Sequence, residues 1–78
     1  MTFPQYRKYK GIEVYFKVLS DDELVELKKL GDKVLYFELK AKQFPEKLFI
    51  QDVLNNEGGR WESIKEEDFK KIEQKLKQ

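Results

Sequence analysis

The sequence predicts a small α+β domain: a mostly antiparallel, curved sheet with two amphipathic helices on one face, in the order ββαβββα. Three observations carry this expectation. Apolar and polar residues alternate with a period of two over 12–18 and 33–41, the pattern of strands with one buried face. Apolar residues recur at helical spacing over 20–30 and 66–76. Turn formers, namely Gly11, Gly31, Pro45 and the run 55–59, punctuate these segments. At 78 residues there is room for one core, so 1–78 is read as a single domain.

The elements follow in order. Residues 5–9 form a first strand, which Lys10-Gly11 turns into a second where Ile12, Val14, Phe16 and Val18 share a face. Ser20 with Glu23 has the form of a capping box, and Asp21, Asp22 and Glu23 place negative charge at a helix start. Leu24, Leu27 and Leu30 then repeat at helical spacing with Val25 alongside, and Gly31 fits a helix end. From Lys33 the period returns to two, with Leu35, Phe37, Leu39 and Ala41 on one side and Tyr36, Glu38 and Lys40 on the other.

Residues 47–54 admit two readings. A helix begins well with Pro45 in its first turn and clusters Phe49, Ile50, Val53 and Leu54. A strand suits the Phe, Ile and Val content, and is favoured because Asn55–Gly59 reads as a hairpin loop into residues 60–64. The last helix opens at Glu66, Glu67 and Asp68 and carries Phe69, Ile72 and Leu76 on one stripe. Ile64 and Phe69 bracket its start as a hydrophobic staple if Lys65 is the N-cap.

Composition narrows function by exclusion. The chain has neither histidine nor cysteine, the side chains that most often carry acid/base, nucleophilic and transition-metal chemistry near neutral pH. The expectation is therefore a non-enzymatic protein with no catalytic residues, no cofactor and no metal. Sixteen basic against 15 acidic residues leave a net charge of +1, which disfavours bulk binding to nucleic acid or anionic membranes. Apolar runs such as Val34–Phe37 are too short to span a bilayer. Arg7, Lys8 and Lys10 fall where a signal peptide would be apolar, so the cytoplasm is the expected location.

Two candidate surfaces remain. Tyr15, Tyr36 and Trp61 are expected on the sheet face away from the helices, as an aromatic patch for a protein partner or for self-association; Trp61 is equally compatible with a core position. The alternative is a single-stranded nucleic-acid binder using Tyr6, Arg7, Lys8, Tyr9, Lys10 and Lys17, whose rings and charges suit base stacking and phosphate neutralisation. Strand geometry divides the first five between two faces, which weakens it. Glu13 with Glu38 is the one carboxylate pair worth considering for acid/base work, and lysines around it would keep both ionised.

Overall fold

Alternating and periodic segments do become five strands and two helices, but the order is ββββαβα. The computed structural model describes residues 2–77. Strands β1 (Gln5–Tyr9), β2 (Val14–Val18), β3 (Glu23–Leu30) and β4 (Lys33–Lys40) are followed by helix α1 (Phe44–Asn55), strand β5 (Trp61–Ser63) and helix α2 (Glu66–Glu73), which ends in a 3-10 turn at Gln74–Lys77. All pairings are antiparallel and the sheet order is β4-β3-β2-β1-β5. The α+β class, the antiparallel sheet and the C-terminal helix are as expected, and so are the numbers of strands and helices among the described residues; the helix expected over 20–30 is a strand and the strand favoured over 47–54 is a helix.

Residues 23–30 are strand rather than helix. Leu24 packs on one face of the sheet while Val25 and Leu27 pack on the other, and all three are buried. A strand covered on both sides loses its period-two signature, so its leucines fell at a spacing that imitates a helix. The supposed capping box is a turn: Ser20 Oγ accepts the Asp22 N–H at 3.1 Å, and the Leu19 and Ser20 N–H groups donate to the Glu23 carbonyl. A serine hydroxyl serves turns and helix starts by the same hydrogen bond. Gly31 holds φ +60° in the two-residue connection that closes the pair Leu30–Lys33, where a glycine at the first central position suits a hairpin.

Residues 44–55 are helix rather than strand. Glu46 accepts from the Lys42 and Gln43 N–H groups at its start, and Pro45 sits in the first turn. Ile50, Val53 and Leu54 form one buried stripe, which a strand would have split between faces. Asn56 ends the helix at φ 54°, and its Oδ1 accepts the Trp61 N–H at 2.8 Å, so the loop that imitated a hairpin instead anchors β5.

The helices lie on opposite faces of the sheet, not on one. α1 packs over Val14, Phe16, Val18, Leu24 and Trp61; α2 packs over Tyr15, Val25 and Leu27 through Phe69 and Ile72. The cause lies in β2, where Val14, Tyr15, Phe16 and Val18 are all buried, so both of its faces need cover.

At the start of α2, Lys65 is the N-cap, and Ile64 and Phe69 meet in the same cluster. The Lys65 N–H donates to the Asp68 carboxylate at 3.2 Å, but a lysine side chain has no acceptor for the free helical N–H groups. Lys65→Ser is expected to raise stability by about 0.5–1 kcal/mol, with Ser63→Ala nearly neutral. Urea unfolding of the two variants checks this, and a destabilising Ser63→Ala would place the cap at residue 63.

Candidate interaction surface

The residues expected to make an aromatic patch do not come together. Trp61 is 1% exposed and faces α1, where it stacks on Tyr9 at 5.2 Å between centroids and meets Phe49 edge-on at 6.3 Å. Tyr15 is buried on the α2 face, and of the three only Tyr36 is open, with its hydroxyl donating to Glu38 at 2.8 Å.

The basic N-terminal strand is equally divided. β1 runs between β2 and β5 and is not an edge. By register, Tyr6, Lys8 and Lys17 share the α2 face, while Arg7 and Tyr9 share the α1 face. Both tyrosine rings already have aromatic neighbours: Tyr6 lies 5.5 Å from Phe69, and Tyr9 is against Phe16 and Trp61. Arg7 donates to the Leu54 and Tyr6 carbonyls, Lys8 lies over the Tyr15 ring, and Lys10 is in the turn after the strand. Glu13 and Glu38 are not neighbours either, since β3 separates their strands and Glu13 pairs with Lys29 at 3.7 Å.

What the fold leaves open is the far end of the sheet. α1 covers the β2-β1-β5 side of its face and meets β4 at Leu39, while Leu35 (39% exposed) and Phe37 (50%) face solvent. These side chains share that face with Leu24, Glu26, Lys28 and Leu39. Between the β3–β4 hairpin and α1 runs an open groove of about 280 Å³ lined by Leu24, Glu26, Phe37, Glu38, Leu39 and Phe49. On α1 itself Phe44 and Leu48, one turn apart, are also exposed. A larger groove of about 350 Å³ beside α2 is lined by Lys8, Lys71, Glu62 and Asp68 among others, and its mixed charges make it an ordinary solvated crevice.

Glu26 is the polar group set among these apolar side chains. Burial pushes its carboxyl above the ordinary carboxylate value, and Lys28 partly opposes the shift. The native state thus keeps a proton that the unfolded chain releases near pH 4.3, about the usual glutamate value, and stability from this group falls as pH rises past it. Glu26→Gln is expected to be more stable than the parent at neutral pH and to lose that advantage below about pH 4. Urea midpoints measured across the range check the sign; a pH-independent difference would show that the carboxyl is not strained.

The backbone of β4 is open as well. Lys29 N–H donates to the Glu13 carbonyl and Ala41 N–H to that of Asp22, which sets the alternation of the ladders. Residues 24, 26 and 28 therefore bond to 35, 37 and 39, and the N–H and C=O groups of Val34, Tyr36 and Glu38 point away from the sheet. Eight consecutive pairs run without a bulge, and no proline or glycine interrupts the strand; the 3-10 turn at Gln74–Lys77 lies against β4 on the α2 face, where Leu76 and Val34 join one cluster.

Compared with known proteins, the chain matches no family model, no curated protein and no solved structure. Among the described residues no group of three or more His, Cys, Asp or Glu side chains could hold a metal, and no helix is long and apolar enough to cross a membrane.

The period-two pattern puts Leu35 and Phe37 on the side expected to be buried, and both are exposed. β4 carries five apolar residues in eight, including two aromatics, but its place at the edge of the sheet is a property of the fold.

Proposed function

We propose that the protein is a non-enzymatic interaction module of the cytoplasm, and that β4 with its adjoining apolar groove is the binding surface. The observation that carries this reading is the coincidence, on one strand, of unpaired backbone groups and exposed Leu35, Tyr36 and Phe37. An extended apolar segment laid along β4 gains main-chain hydrogen bonds from the edge, and its side chains fill the groove over Glu26. The lysines that discourage such pairing stand only at the two ends, Lys33 and Lys40. Tyr36 is thus the one member of the expected aromatic set kept in the proposed surface; Tyr15 and Trp61 lie in the two cores away from β4.

Photo-crosslinking in the native host tests the reading. A benzoylphenylalanine at position 37 is expected to capture a protein product that the same group at the exposed Gln51 of α1 does not. Identical products from both positions, or none from position 37, would remove β4 as the binding surface.

A further inference from the structure

We propose that the segment β4 accepts is β4 of a second copy of this chain, paired antiparallel about a two-fold axis at Phe37 so that two five-stranded sheets join into one of ten strands. This rests on the reading of β4 as an interaction surface and goes beyond it by naming the partner.

Self-complementarity selects the second copy. An axis perpendicular to the sheet keeps the α1 face of one copy continuous with that of the other, so only residues of the same parity can stand opposite one another. Centred on Phe37, the register sets Phe37 against itself and Leu35 against Leu39. All three belong to the set whose backbone already bonds to β3, so across the new seam they form the non-hydrogen-bonded pairs, in which side chains approach most closely. The outward N–H and C=O groups of Tyr36 meet those of Glu38, and the groups of Val34 meet those of Lys40.

Charge agrees with this arrangement. Tyr36 opposes Glu38, the donor and acceptor types that already bond to each other within one chain at 2.8 Å. At the strand ends Lys33 opposes Ala41, and just beyond them Asp32 opposes Lys42, so no like charges stand opposite each other. The neighbouring register, centred on Tyr36, sets Glu38 against Val34 and Lys33 against Leu39 and loses the Leu35–Leu39 match. The Phe37-centred seam also covers the face that α1 leaves bare, because Leu35 and Phe37 of each copy pack on Leu39 and Phe37 of the other.

The test compares the unmodified chain, Phe37→Lys, Phe37→Glu and an equimolar mixture of the two variants, by sedimentation equilibrium and by amide hydrogen exchange. Phe37 is half exposed, so the variants should fold, and circular dichroism checks that they do. The unmodified chain is expected to run at twice the chain mass, with slow exchange at the Val34, Tyr36 and Glu38 amides. Each variant places two like charges at the axis and should become monomeric, losing protection at those three amides while keeping it at Leu35 and Leu39. Mixing lysine with glutamate variants should restore the double mass. An unmodified chain that stays monomeric at millimolar concentration with those amides unprotected overturns the proposal. So does a dimer that both variants retain, or a mixture that stays monomeric. A monomer that nonetheless crosslinks another protein through position 37 ends the second-copy inference and leaves the interaction surface standing; a monomer without any crosslink ends both.

Discussion

Trp61→Ala is expected to lower folding stability by about 3–5 kcal/mol, the usual loss for a large aromatic in a well-packed core. Trp61 is 1% exposed, ties the short β5 to α1 through Phe49, and stacks on Tyr9 of β1. β5 has three residues, so this ring adds the main side-chain anchor to the backbone pairing with β1 and the Asn56 hydrogen bond. Trp61→Phe should cost clearly less. Among the described residues the indole Nε1 is the buried side-chain polar atom that finds no acceptor, so phenylalanine removes an unsatisfied donor along with part of the ring. Urea unfolding of both variants checks the comparison, and equal losses would mean that the N–H is bonded in solution.

Phe69→Ala should cost a comparable amount, about 3–5 kcal/mol, and for a separate reason. Phe69 is 1% exposed in the cluster of Tyr15, Val25, Leu27 and Ile72 on the other face of the sheet. It is also the inner half of the staple with Ile64, so its loss both opens a cavity and loosens the start of α2. Because the sheet separates the two clusters, milder changes on opposite faces should act independently. Ile50→Val and Ile72→Val are each expected to cost about 0.5–1.5 kcal/mol, and the double variant should equal their sum within about 0.5 kcal/mol. A larger coupling would contradict a sheet sandwiched between helices.

Local chemistry, read along the chain, determined much of this. The strands read from the alternation in 12–18 and 33–41, the Lys10-Gly11 turn, the acidic opening of α2 and its apolar stripe stand in the structure as expected, although Ile12, Leu35 and Phe37 are exposed and Gly31 closes a hairpin rather than a helix. So does the Glu66–Lys70 pair, at 2.6 Å. These features depend on neighbours a few residues away, and such neighbours are present in the sequence itself.

Tertiary structure alone decided the rest. Whether Leu24, Val25 and Leu27 are helix or strand depends on cover arriving from both sides, by α1 at one face and by α2 at the other. Whether Phe49, Ile50, Val53 and Leu54 fill a strand or a helix depends on a gap over β2 that only the folded sheet creates. The candidate surface was hidden for the same reason. Leu35 and Phe37 carry the pattern of core residues, and they are exposed because α1 packs on the last strand at Leu39 and leaves those two positions uncovered. Period and composition report how strongly a side chain avoids water; which apolar side chains stay uncovered is settled by how many elements there are to cover them.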